Sequence, residues 1–170
     1  MPDPMKNIQC QFQVTASDSA EVARLVKATG FFSPAEVDVA VELVQERRLK
    51  GEAGGYHFLM ARRGQGDLLG YCCFGPIPCT LSSFNLYWIV VHPDFQGQGL
   101  GQRLLAMCEG EIRKLAGTRV YIETSSRPQY HPTRCFYERC GYAPEATLAD
   151  FYAPGDHKLV YRKVLSNTIS

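Results

Sequence analysis

The sequence predicts an α/β (α+β) fold, a mixed and mostly antiparallel central sheet with helices interleaved between its strands. Three observations predict it. Short runs of alternating or continuous apolar residues recur along the chain, with amphipathic helical stretches between them. The spacer "GQGD" joins two of these runs as a hairpin signal. The strand-helix-strand unit at 86–124 requires a parallel crossover. The chain has 170 residues, 45% of them hydrophobic, enough for one domain spanning 1–170 with a real core. No internal repeat, low-complexity tract or linker divides it.

Residues 7–14, "NIQCQFQV", alternate Ile8, Cys10, Phe12 and Val14 with polar partners, as a half-buried strand does. Ser17 or Asp18 can cap a helix running to about Thr29, with Val22, Leu25 and Val26 on one face and Gly30 as its stop. A second helix starts at Ser33-Pro34-Ala35-Glu36, where serine caps, proline fits the first turn and glutamate stands at the capping-box position. Val37, Val41, Val44 and Leu49 are its expected inner stripe, and Gly51 ends it.

"YHFLMARR" and "LLGYCCFG" are then adjacent antiparallel strands, and "FNLYWIVV" follows the breaker "GPIP". A helix is expected from about Gly99 to Ala116, its apolar face made by Leu100, Leu104, Cys108, Ile112 and Leu115. "TRVYIETS" is a fifth strand and "HPTRCFYERCGY" a short helix closed by Gly141. The remainder reads as a strand, a loop around Pro154-Gly155, and a last strand from Lys158 to Leu165.

Lys and Arg total 18 against 17 Asp and Glu, a net charge of +1, which gives no basic face for nucleic acid. No segment approaches the roughly 20 apolar residues of a membrane span, and the start lacks the apolar core of a signal peptide. A cytoplasmic protein is expected. Its seven cysteines are scattered, without zinc-ligand spacing, and read as reduced thiols, most of them small core residues; no metal is expected.

Between the strand at 86–91 and the following helix, "HPDFQGQGLGQRLL" places glycine at 97, 99 and 101. A strand entering a helix through such a loop points free backbone N–H groups at one spot, and the helix dipole adds positive potential there. Glycine removes side chains that would hold an anion away, and it permits the positive φ of an anion nest. A P-loop would need Gly-Lys-Ser/Thr, but Gln102-Arg103 follows Gly101. A dinucleotide fingerprint would need glycine or alanine at Gln102; Glu123 stands at a suitable distance for a ribose, yet repeated βαβ units are missing.

"VVHPDFQGQGLGQRLL" resembles motif A of the GNAT superfamily, the Gcn5-related N-acetyltransferases, with Gln96, Gly99 and Gly101 on the pattern Gln/Arg-x-x-Gly-x-Gly/Ala. "YIETSSRPQYHPTRCFYERCGY" resembles motif B, and the likeness spans about residues 7–165, with some RimI-like features. The resemblance implies a GNAT fold, with helices on both faces of the sheet and strands 4 and 5 splayed apart. It also implies acetyl-coenzyme A as co-substrate. Its pyrophosphate would lie on the N–H groups of Gln96, Gly97, Gln98, Gly99, Leu100, Gly101 and Gln102. Its pantetheine arm would run along Ile89, Val90 and Val91.

By the same resemblance Tyr137 is the acid that protonates the departing thiolate and also contacts the coenzyme; the competing reading is a core tyrosine. Glu123 matches the base of some ribosomal-protein N-terminal acetyltransferases, although the loop 128–132 lengthens its interval to Tyr137. Asn85 and Tyr87 are not carboxylate bases, and His92 before proline reads as a turn residue. Tyr130, His131, Asp150 and Tyr152 are the expected acceptor contacts, with Asp156, Phe31 and Phe32 as further candidates. Cys135 and Cys140 flank Tyr137, but no partner is placed by sequence to activate either thiol, so direct transfer in a ternary complex is favoured over an acetyl-cysteine route. The expected acceptor is a primary amine of a small molecule, a peptide or a protein N-terminus, and a homodimer is compatible with the family. A non-catalytic acetyl-coenzyme A sensor is the alternative, since the glycine motif serves both.

Overall fold

The structure, a computed structural model, describes residues 5–166. Its strands are β1 (Ile8–Gln11), β2 (His57–Arg63), β3 (Leu68–Pro76), β4 (Ser83–Val91), β5 (Arg119–Ser125), β6 (Ala143–Ala153) and β7 (Asp156–Val164). They form a seven-stranded sheet in the order β1-β2-β3-β4-β5-β7-β6. The helices are α1 (Asp18–Ala28), α2 (Pro34–Lys50), α3 (Leu100–Lys114) and α4 (His131–Arg139). The expected parallel crossover is present: β4 and β5 pair in parallel from Ser83↔Arg119 to Leu86↔Ile122. The pairs β1–β2, β2–β3, β5–β7 and β6–β7 are antiparallel. The chain divides into two compact units, Met1–Gly75 with Trp88–Cys108, and Pro76–Tyr87 with Glu109–Ser170.

In the first unit the core gathers Val22, Leu25 and Val26 of α1, Val37, Ala40 and Val44 of α2, and Phe58, Met60, Tyr71 and Val90 of the strands. Helix α2 starts on the capping box read from its sequence: Ser33 Oγ accepts from Glu36 N and Glu36 Oε2 accepts from Ser33 N. Its inner stripe differs from the expected one. Ala40 takes part, Val41 is half-buried and Leu49 is 83% exposed, because Leu49 stands five residues beyond Val44 and so turns away from the face of 37, 40 and 44. At α1, Ser17 makes no side-chain cap; Asp18 Oδ2 instead accepts from Thr15 N at 2.6 Å. Asp18 is fully buried and, with Glu21, forms an ion pair with Arg62 of β2. Gly70 allows β3 to lie close to its neighbours, since a Cβ there would stand 3.0 Å from Val90 O and 3.1 Å from Leu104 Cδ1.

In the second unit β5 lies between β4 and β7, and Ile112 of α3 and Phe84 of β4 both crowd Gly117. A Cβ on Gly117 would fall 2.3 Å from Ile112 Cγ2, so glycine is required. Leu115 lies past the end of α3 and is exposed, in contrast to the expected stripe. Buried Glu109 accepts from Lys163 Nζ at 2.8 and 3.0 Å and from Tyr142 Oη at 3.0 Å. Lys163 also donates to Cys140 O, which joins α3, α4 and β7 through one compensated charge pair. Strand β6 is the sheet edge and all its residues are exposed. The seven cysteines are free, but only Cys72, Cys73 and Cys108 are buried, so most are not core residues as expected. Among the described residues no helix is long and apolar enough to cross a membrane.

Candidate functional site

In the first unit lie all the expected coenzyme-binding residues but Tyr137, close together in the chain from Ile89 to Gln102. Strand β4 delivers Ile89, Val90 and Val91 to His92, whose N–H donates to Leu69 O at 2.8 Å. His92 Nδ1 accepts from Asp94 N at 3.2 Å and starts a short 3-10 turn, Pro93–Phe95, which is the turn role read for it. Gln96 Nε2 donates back to Val91 O at 3.0 Å, and Gln98 Nε2 to Asp94 O at 2.7 Å. The loop is therefore braced by its own glutamines before α3 begins at Leu100.

Gly97 and Gly99 adopt φ of +70° and +88°, the left-handed region that a side chain disfavours. A Cβ built on either would meet nothing within 4 Å, so no neighbour of theirs demands glycine. The backbone angles demand it, and the space in front of both residues is open. The first-turn N–H groups of α3 have no intrahelical acceptor. An open, glycine-lined cradle of backbone donors at a helix N-terminus suits a phosphate. Phe32 packs on Trp88 with ring centroids 5.0 Å apart, while Phe31 is exposed. A shallow groove lined by residues 12–15 with Arg47, Arg48 and Glu52 contains none of the expected site residues.

In the second unit Tyr137 is 6% exposed on α4, with its ring 6.3 Å from that of Tyr142 and 6.1 Å from that of Tyr161. Phe136 is half-buried beside it. The Tyr161 hydroxyl is pushed above the usual tyrosine range, first by burial and then by donating to Glu138 at 3.2 Å. Glu123 lies on β5 opposite Val160 and forms an ion pair with Lys158 at 2.6 Å. Asp150, at φ +53°, accepts from Gly155 N at 2.8 Å through Oδ1, while its own N–H donates to His157 Nδ1 at 2.8 Å. Tyr152 and Phe151 are exposed at the same hairpin, their rings edge to face. Asp156 is buried, accepting from Ser125 Oγ and paired with Arg127 at 3.2 Å. Register places Ser125 opposite Lys158, so the end of β5 and the β6–β7 turn converge. Tyr130 and His131 enter α4 directly from that end.

Two features escaped the sequence reading. His131 Nε2 lies 3.6 Å from Cys135 Sγ, one helical turn away, and supplies the thiol partner that had not been placed. The i, i+4 spacing in "HPTRC" was the available signal once His131 was known to begin the helix. The second is Arg127, whose surroundings depend on a strand pairing that no local pattern announces.

A family model described as "Acetyltransferase (GNAT) domain" matches residues 54–144. Among solved structures, a GNAT-family protein from Desulfovibrio desulfuricans is 45% identical, with a TM-score of 0.91; the match covers 94% of this chain and 99% of that one. An aminoglycoside 6'-N-acetyltransferase complexed with coenzyme A is similar at 18% identity and TM-score 0.76, over 95% of this chain and 99% of its own. The ribosomal-protein-S18-alanine N-acetyltransferase from Escherichia coli is similar at 16% identity and TM-score 0.71, over 96% and 99%. The last two likenesses are of fold alone. No curated protein matches the sequence.

Proposed function

The chain belongs to the GNAT acetyltransferase family, and on that premise we propose that it moves an acetyl group from acetyl-coenzyme A to a primary amine by direct transfer in a ternary complex. The observation that carries the reading is the open cradle at Gly97 and Gly99, with positive φ at both and no neighbour within 4 Å of a built Cβ. The N–H groups of Gln96 to Gln102 would hold the pyrophosphate, and the backbone of Ile89, Val90 and Val91 would receive the pantetheine amides. When bound, acetyl-coenzyme A supplies an activated thioester. A backbone N–H near Val90 or Val91 is then the donor to its carbonyl oxygen.

In the second unit, Tyr137 Oη holds the proton that a departing thiolate needs, in a setting of buried rings that keeps bulk water away. Glu123 takes the proton from the acceptor ammonium; its carboxylate is held at one oxygen by Lys158 and remains half-exposed. Tyr130, His131, Asp150 and Tyr152 contact the acceptor. Residues 1–170 then act as a single catalytic domain, in keeping with a match covering 99% of the Desulfovibrio chain. The enzyme works in the cytoplasm, in keeping with seven free thiols.

Calorimetric titration with coenzyme A tests the cradle. Gly99→Val, which forces a branched side chain into φ +88° and fills the open space, should weaken binding about tenfold or more. Unchanged affinity in a folded variant would remove the cradle from the reading.

A further inference from the structure

We propose that Arg127 is a carboxylate-binding residue and that the acceptor is an amine that also carries a carboxylate, a free amino acid or a close relative, rather than a polycation. The inference rests on the acceptor contacts proposed above. Arg127 follows β5 and precedes Pro128, with Tyr130 and His131 immediately downstream.

Its guanidinium is held on two sides. Nε lies 3.2 Å from Asp156 Oδ2 and donates to Ser125 Oγ at 3.4 Å, and Asp156 is itself only 8% exposed and fixed by Ser125. One face lies over Tyr130, with Cζ 5.5 Å from the ring centroid. The backbone beneath it is fixed as well: Arg127 N donates to Ser125 Oγ at 3.0 Å, and Arg134 Nη1 donates to Ser125 O at 2.9 Å and Arg127 O at 3.1 Å. The side chain is nevertheless 49% exposed, and its two terminal amino groups have no acceptor among the described residues. A guanidinium anchored through Nε presents its remaining edge, two parallel N–H groups, outward. That edge matches a carboxylate in a bidentate pair.

The carboxylates of β5 and of the β6–β7 hairpin are mostly engaged and leave little negative surface for a polycation. Glu123 is paired with Lys158, Asp156 with Arg127 itself, and Asp150 accepts from Gly155 N with His157 3.6 Å away. Asp150 still keeps an exposed carboxylate for one ammonium. One acid for the amine and one held guanidinium for a carboxylate together describe a zwitterionic acceptor.

The test separates this inference from the acetyl-transfer reading by using unreactive probes. N-acetylleucine and N-acetylphenylalanine, each against its primary amide, are titrated into the full chain in the presence of coenzyme A and followed by protein-observed NMR. The acids should bind at least about tenfold more tightly than the amides, with shifts at Arg127 and Tyr130, and Arg127→Gln should abolish the difference. Arg127→Lys, which keeps the charge but loses the fork, should recover only part of it. Equal binding of acid and amide, no binding of either acid, or an acid preference that survives Arg127→Gln would overturn the inference. Thiol release is scored separately with leucine and phenylalanine against isoamylamine and phenethylamine, their decarboxylated counterparts. Acid-selective binding without turnover of any amine would leave Arg127 as a carboxylate site and remove the transferase reading. Turnover of the decarboxylated amines at or above the amino-acid rate would do the reverse.

Discussion

Lys158 Nζ stands 2.6 Å from Glu123 Oε2 and 4.2 Å from the ring centroid of Phe151. The lysine is 15% exposed and the glutamate 47%, so the pair is closed on the lysine side and open on the glutamate side. Lys158 thereby fixes where the proposed base points, and Phe151 covers the lysine. Glu123→Gln should lower kcat by about 100-fold, the usual weight of a general base, with the KM for acetyl-coenzyme A unchanged. Lys158→Met should give a smaller loss, since it frees the carboxylate without removing it. Steady-state kinetics of both variants check this, and an unaltered Glu123→Gln enzyme would assign the proton to another group.

Tyr137 is packed among Phe136, Tyr142 and Tyr161, so Tyr137→Phe keeps the ring and its packing while removing one hydroxyl. Turnover should fall about 100-fold while affinity for acetyl-coenzyme A stays within about twofold. Turnover equal to the parent enzyme would leave Tyr137 as a core residue.

The contact between Cys135 Sγ and His131 Nε2 at 3.6 Å makes an acetyl-cysteine route chemically available, so direct transfer requires its own check. Cys135→Ser should retain turnover within about twofold, because the thiol has no part in direct attack by an amine. Intact-mass measurement after mixing with acetyl-coenzyme A alone should show no added acetyl group. An acetyl adduct that disappears on adding the amine, with Cys135→Ser inactive, would replace the ternary mechanism.

Burial is the largest cause of the raised thiol and hydroxyl ionisations of Cys10, Cys73, Cys140, Tyr71 and Tyr161, and Tyr71 and Cys73 are pushed furthest. The unfolded chain releases these protons at ordinary values near about 8.5 for cysteine and 10 for tyrosine, while the folded chain keeps them. The folded state therefore carries no ionisation penalty below that range and loses stability as pH rises from it toward the raised values. Tyr71 Oη also has no hydrogen-bond partner among the described residues, at a typical cost of about 1–3 kcal/mol. Tyr71→Phe should raise stability by roughly 1 kcal/mol at neutral pH and flatten part of the alkaline loss, measured by urea unfolding at several pH values. A destabilised variant would mean that the hydroxyl is satisfied in solution.

Local signals were legible where a short-range rule decides the structure. The capping box at Ser33 and Glu36, the hairpin at "GQGD" and the crossover at 86–124 all depend on residues near one another in sequence, and each appears as read. Periodicity failed at element ends. Leu49 and Leu115 fit a helical repeat by spacing but lie where the helix has turned away from the sheet or stopped. The alternation of residues 7–14 suggested a longer strand than Ile8–Gln11. Beyond Gln11 the chain leaves the ladder, Val14 packs on the helical core and Thr15 N is taken by Asp18.

The same division holds for the candidate site. The glycine loop was readable because its conformational demand is written in one short segment, and Gly97 and Gly99 do take positive φ. Arg127 was not readable, since Asp156 reaches it from across a β5–β7 pairing about thirty residues away in the chain.

Acetyl transfer to an amine is read out by thiol release from acetyl-coenzyme A. The assay would be run across amino acids, N-terminal peptides, polyamines and aminoglycosides, with coenzyme binding followed in parallel by thermal shift. Acceptor-dependent thiol release is expected, greatest with an amine that carries a carboxylate, together with an acetylated product of matching mass. Tight coenzyme binding with no thiol release from any acceptor class would contradict it and identify a coenzyme-sensing module instead.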